Sequence, residues 1–194
     1  MTTKLEQALE RFDAMNAEDP NTEDVDGEAV PKELVYGRRM SERLAVFAPD
    51  APEVVKLSVR AQHLRRWTLP RSDFPMDRAG YLTWRTRCGK MHAELAAEVL
   101  EAVGYDEDTI GTVQRILTKR GLKTDPNVQM LEDVACLVFL EHYAAEFAGK
   151  HPKDKVIDIV QKTWKKMSDA GHAAALELPL DGGVKAVVEE ALAG

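Results

Sequence analysis

Chemistry-bearing residues are concentrated between Ser58 and Arg87, where seven arginines, one histidine, two tryptophans and a tyrosine share thirty positions. Arg60, His63 and Trp67 recur there at spacings of three and four, which predicts one shared helical face. Guanidinium groups beside aromatic rings suit bidentate capture of a phosphate or carboxylate, with a ring for stacking. On that reading Arg60, Gln62, Arg66, Arg71, Arg85, Tyr36, Tyr81 and Trp84 line a pocket for a small anionic substrate. The alternative is that the arginines bridge to the many acids of the chain while the tryptophans fill its core. Nucleic acid would use the same arginine and aromatic mixture.

A second signal is a carboxylate pair, Glu132 and Asp133, inside the apolar run Met130–Leu140. Adjacent helical residues differ by about 100° around the axis, so at least one of the pair must turn inward. A buried carboxylate needs a compensating partner, expected here to be a metal or an arginine. His63 and His92, each expected inside a helix, are the natural companions, since imidazole and carboxylate together ligate zinc, iron or manganese. The candidate metal set is therefore His63, His92 and a carboxylate of this pair, with Glu132 and Glu33 as candidate catalytic carboxylates. A helical histidine is more often structural, and an arginine pairing would also account for Asp133. His142, His151 and His172 lie at other faces or at element edges and carry no role.

The totals narrow the classes. At 194 residues the chain is expected to be one domain, 1–194, long enough to bury a core. A net charge of −7 disfavours general binding to nucleic acid or to an anionic membrane. Cys88 and Cys136 form no CxxC and read as free thiols in a reducing, cytoplasmic setting. No basic-then-apolar leader and no apolar run of membrane-spanning length is present, so neither secretion nor a span is expected. P-loop, GxGxxG, GxSxG and HExxH motifs are all missing. A monomer and a homodimer are equally compatible with these residues.

The elements that must position these side chains read as helices throughout. Thr3 with Glu6 forms a capping box for a first helix ending at Asn16. Residues 17–31, with six acids, two prolines and a glycine, read as a mobile loop. A second helix runs from near Pro31 to Phe47, and a third from Ala51–Pro52 through His63 to Thr68. A fourth spans Tyr81–Val103 and ends at Gly104, and a fifth runs from Asp106 to Gly121. A sixth opens at Asp125-Pro126 and reaches Phe147. A seventh covers Lys153–Ala170, and a last one covers Gly183–Ala193. The fold class is all-α, with seven or eight helices and no useful β alternation.

Two resemblances add to this reading. A histidine, then a histidine opening HAELAAEVLEAVGY, then an aspartate on a long apolar helix resembles the HD-domain superfamily of helical metal-dependent phosphohydrolases and oxygenases. The resemblance implies an HD-like fold with His63, His92 and Asp133 as ligands of a divalent ion. Leu64 stands where the superfamily's paired aspartate would be, and Tyr36 where its first histidine would be. Glu33, Gln62 or Glu132 would then supply the missing oxygens. More closely, PKELVYGRRM, RAQHLRRWTLPR, RAGYLTWR, LEDVACLVFLEHY and KTWKKMSDAGH resemble the domain of unknown function 4202. That family implies no activity. The combined expectation is a metal-dependent enzyme acting on a small anionic substrate, hydrolysis ahead of oxygenation. The alternatives are a non-catalytic helical binding protein and, third, an RNA-binding protein.

Overall fold

Helix dominates the computed structural model, which describes residues 2–180 and 182–193; ten α-helices and one two-stranded hairpin lie among them. The chain divides into two compact units, residues 1–121 and 122–194. Among the described residues, no helix is long and apolar enough to cross a membrane.

In the first unit, α1 (Lys4–Asn16) begins with the expected capping box. The Thr3 side chain accepts from the Glu6 N–H while Glu6 accepts from the Thr3 N–H. Within the acidic segment expected as a loop over 17–31, a hairpin forms. Thr22–Val25 (β1) and Glu28–Pro31 (β2) pair antiparallel, with Val25 opposite Glu28. Asp26 and Gly27 turn the chain with positive φ (55° and 86°), the conformation an Asp-Gly hairpin turn requires. Buried Asp19 anchors this segment to the next helix by accepting from the Asn21 and Glu33 N–H groups.

Lys32–Phe47 (α2) and Glu53–Ala61 (α3) follow. Gly37 lets them approach, because a Cβ there would sit 3.3 Å from the Arg60 carbonyl oxygen. The third helix stops at Ala61 rather than continuing to Thr68, so His63 lies in a turn and not inside a helix. The cause is Arg65, which takes a left-handed conformation (φ 48°) and is held there by Asn16, whose Oδ1 accepts the Arg65 N–H. Short 3-10 turns at Arg66–Thr68 and Arg71–Asp73 lead into α4 (Arg78–Val103). Asp77 caps α4 at the Gly80 N–H. Gly80 is required because a Cβ would meet the Pro75 carbonyl oxygen at 2.0 Å. His92 falls well within α4, as the helix expected over Tyr81–Val103 had it. Gly104 (φ 88°) ends α4, and Asp106 caps α5 (Glu107–Leu117). The core joins Phe12 of α1, Leu57 and Ala61 of α3, Ala93, Ala96 and Leu100 of α4, and Val113 and Leu117 of α5.

The second unit opens with α6 (Pro126–Val138), capped by Asp125 at the Asn127 and Val128 N–H groups. One widened π turn, Phe139–Tyr143, passes into α7 (Ala144–Lys150). The helix expected over Lys153–Ala170 is two helices, α8 (Lys153–Lys166) and α9 (Asp169–Leu176). Ser168 begins the second by accepting the Gly171 N–H, a serine cap inserted without proline or glycine. Gly182–Ala193 forms α10. Val128, Leu131, Val134, Leu137, Val156, Val160 and Met167 are buried.

Candidate functional site

The histidine singled out by type sits in a continuous polar chain in the first unit. Glu33 projects from the first turn of α2, and its Oε2 lies 2.9 Å from His63 Nδ1. On the other side of the ring, Arg66 Nη1 lies 3.2 Å from His63 Nε2. A guanidinium has only donors, so Nε2 accepts, and the single ring proton of a neutral imidazole must reside on Nδ1. That proton is donated to Glu33. The Tyr36 ring stacks on His63 at 3.8 Å between centroids and 9° between planes, fixing the imidazole from its face.

The electrostatics agree with a neutral imidazole. Burial, reinforced by Arg66, Lys119 and Lys32, holds the His63 pKa well below its usual range. Burial pushes the Glu33 carboxyl up to about 7, with Arg66 and Lys32 pulling the other way. The Glu33–His63 contact is therefore a hydrogen bond from the neutral imidazole to Glu33, and not a full ion pair. The carboxyl raised to about 7 is the group placed near neutrality for acid–base work.

The fourth helix supplies the opposite wall. Trp84, Cys88 and His92 repeat every four residues and so share one face. Trp84 Nε1 donates to the Leu69 carbonyl at 2.8 Å, and its ring carries the Arg66 guanidinium at 4.5 Å. Cys88 is buried, and burial raises its thiol, with Arg66 opposing and Glu33 adding; it stays protonated. His92 is buried at 3% exposure, and its ring lies 5.8 Å from that of His63. Burial, then His63, Arg66 and Lys119, hold it neutral. Its Nε2 is buried with no hydrogen-bond partner, a costly arrangement that a ligand would relieve.

Arg66 differs from the other arginines in what it touches. Arg60 is consumed by a bidentate pair with Asp13, both contacts at 2.7 Å. Arg71 ties down the carbonyls of Phe74, Pro75 and Asp77. Arg85 lies over exposed Tyr81 at 5.8 Å. Among the described residues Arg66 meets no carboxylate, only His63 and Trp84. Gln62, one residue before His63, has a buried Oε1 without a partner.

Two residues hold this site in place that composition did not reveal. Asn16 donates to the Glu33 carbonyl and accepts from the Arg65 N–H, so one buried amide joins both edges of the site. Asp19 receives the Glu33 N–H. Both lie at or beyond the end of α1, where an isolated polar residue gives no sequence signal.

Glu132 and Asp133 belong to the second unit, and their partners there are of another kind. Asp133 accepts from the Ser168 N–H (2.8 Å), the Ser168 hydroxyl (2.6 Å) and Gln129 Nε2 (3.1 Å). The compensation expected from a metal or arginine comes from neutral donors. Glu132 lies 3.6 Å from Lys166 Nζ.

A divalent ion has a narrow opening here. Among the described residues no three His, Cys, Asp or Glu side chains gather as a ligand set. His63 Nδ1 is spent on Glu33 and its Nε2 faces Arg66, which leaves His92 Nε2 as the ring nitrogen without a partner. Were Arg66 to turn away, His63 and His92 could both offer nitrogens, with Glu33 orienting the first as carboxylates commonly do behind metal-bound histidines.

No curated protein and no solved structure matches the chain. A family model does match, over residues 6–188. With nearly its whole length covered, the chain belongs to the family defined by the domain of unknown function DUF4202.

Proposed function

We propose that the first unit is an enzyme site for a small phosphate- or carboxylate-bearing molecule, with hydrolysis as its reaction. The observation that carries this reading is Arg66, half-buried, stacked on Trp84, without a carboxylate partner among the described residues, and donating to His63. An arriving anion takes the guanidinium's N–H groups in charge-assisted bonds. His63 Nε2 is then released with its lone pair free, while Glu33 holds the proton on Nδ1 and stabilises the imidazolium that forms. His63 accepts a proton from the attacking water as its oxygen bonds to the phosphorus or carbonyl carbon, the ester bond breaks, and the imidazolium returns that proton to the departing oxygen, while His92 Nε2 offers a further polar contact to the ligand. Tyr36 and Trp84 keep the His63 ring and the Arg66 guanidinium in register.

This is tested by assaying phosphomonoesters and carboxylate esters with wild type, Arg66→Met and His63→Ala. The expected result is a turnover lost in His63→Ala and a raised KM in Arg66→Met. Activity that survives both substitutions would remove the site from the chemistry.

A second reading, metal-dependent and HD-like, is favoured by the unpartnered His92 Nε2. In it His63 and His92 hold iron, manganese or zinc, and the metal supplies an activated hydroxide for hydrolysis or, as iron, oxygen chemistry. Elemental analysis of chain purified without chelator, beside His92→Ala, separates the readings. Near-stoichiometric metal that disappears in the variant selects the second, and none in either sample selects the first.

A further inference from the structure

The fourth helix has another face that the proposed site does not use. Leu82, Thr83, Thr86, Arg87, Lys90, Met91 and Glu94 form a stripe along it and, with Leu69 opposite, line a groove of about 750 Å³. The stripe covers about 18 Å at 1.5 Å per residue and is centred roughly 140° around the helix from Trp84, Cys88 and His92. The volume is that of a site for a small organic ligand, which commonly falls between about 300 and 1,000 Å³.

Its lining specifies the ligand. Leu69 and Met91 give an apolar floor at one edge of the groove, and Leu82, on the far side of the helix from Met91, is 51% exposed at its other edge. Thr83 and Thr86 spend their hydroxyl protons on the carbonyls of Ala79 and Leu82. The side-chain donors left in the groove are therefore Arg87 and Lys90. Neither makes a carboxylate ion pair among the described residues. Glu94 lies at the far end of the stripe and repels an anion toward these two cations. In a chain of net charge −7, two uncompensated cations beside apolar surface are a local exception.

We propose that this groove is a second binding site, for a small amphiphilic anion. Its apolar or aromatic body lies on Leu69 and Met91, and its single phosphate or carboxylate is held by Arg87 and Lys90. Thr68 Oγ1, which donates to the Arg65 carbonyl, lies 3.6 Å from Met91 Sδ, and Trp84 donates to the Leu69 carbonyl, so the floor adjoins the turn that carries Arg66.

The test is a titration of the full ¹⁵N-labelled chain with 1-naphthylphosphonic acid, whose carbon–phosphorus bond is not open to the hydrolysis proposed above, followed by backbone amide shifts. Inorganic phosphate and 1-naphthol serve as controls. Saturable shifts are expected at Leu69 and along 82–94, weakened about tenfold or more in Arg87→Ser/Lys90→Ser, where two charge-assisted contacts are lost. Arg66→Met should leave them in place, since that residue belongs to the other face. The proposal is overturned if the shifts are absent from the groove, if 1-naphthol alone reproduces them, or if the double variant binds equally well. Tighter binding of a glutamate-rich peptide at the same amides would overturn it in favour of a protein partner. Shifts confined to the surroundings of Arg66 would sink the groove while leaving the hydrolytic site standing.

Discussion

Each unit buries carboxylates, and the two satisfy them by different chemistry. In the second unit Asp133 collects three hydrogen bonds from neutral donors, two of them from Ser168, the cap residue of α9. In the first, Glu33 leans on a neutral imidazole that is itself bonded to a guanidinium without a carboxylate partner among the described residues. The Asp133 arrangement is closed and fixes where a helix begins. The Glu33 arrangement has an unpartnered imidazole nitrogen and, beside it, a guanidinium that no carboxylate contacts directly among the described residues, and so has something left to give a ligand. Burial of charge alone does not mark a functional site; what matters is whether the network around it is complete.

Breaking the closed network should cost the most. Asp133→Ala leaves the Ser168 N–H, the Ser168 hydroxyl and the Gln129 amide without their acceptor, and should destabilise by about 3 kcal/mol. Denaturant unfolding checks this, and a loss below about 1 kcal/mol would show that the network is dispensable. Gly171→Ala probes the same contact from outside, because a Cβ there would lie 2.6 Å from Asp133 Oδ1. A loss of about 1–3 kcal/mol is expected, with no further loss when it is combined with Asp133→Ala.

The open network should respond to pH rather than to truncation. Glu33 titrates near 7 in the fold against an ordinary 4.5, so the folded chain holds the extra proton between those values. By linkage this group's contribution to stability falls as pH rises through that window. His63 and His92, held neutral in the fold, act oppositely: the unfolded chain takes up their protons below about 6.5, and stability declines as pH drops there. Glu33→Gln removes the first effect alone. Its melting temperature relative to wild type should climb from pH 4.5 to 7 and level off above; a difference independent of pH would contradict the raised carboxyl.

What the sequence disclosed follows the range of the interactions involved. Caps at Thr3, Asp106 and Asp125 and the stop at Gly104 are local and were legible. The Asp26-Gly27 turn was also there to be read, but its acidic flanks lack the alternation that marks strands. The end of α3 was hidden, since Gln62-His63-Leu64-Arg65-Arg66 contains no breaker and the turn depends on Asn16, 49 residues away. Glu33, Tyr36, His63, Arg66, Trp84 and His92 were recognisable as candidates by type, and the first unit brings them together. Asn16 and Asp19 were not, because a positioning amide or carboxylate has no composition signature. Asp133 showed its charge in the sequence but not its partners, and neutral donors leave no pattern that distinguishes them from a metal.

The central claim is that Arg66 and His63 form an anion-responsive pair. It is tested most directly by titrating inorganic phosphate into the ring-labelled chain and following the imidazole ¹⁵N resonances of His63 and His92, with Arg66→Met alongside. The account predicts a saturable shift at His63 Nε2 in wild type, weakened about tenfold or more in a variant that remains folded. A silent His63, or the same shift in Arg66→Met, would contradict it.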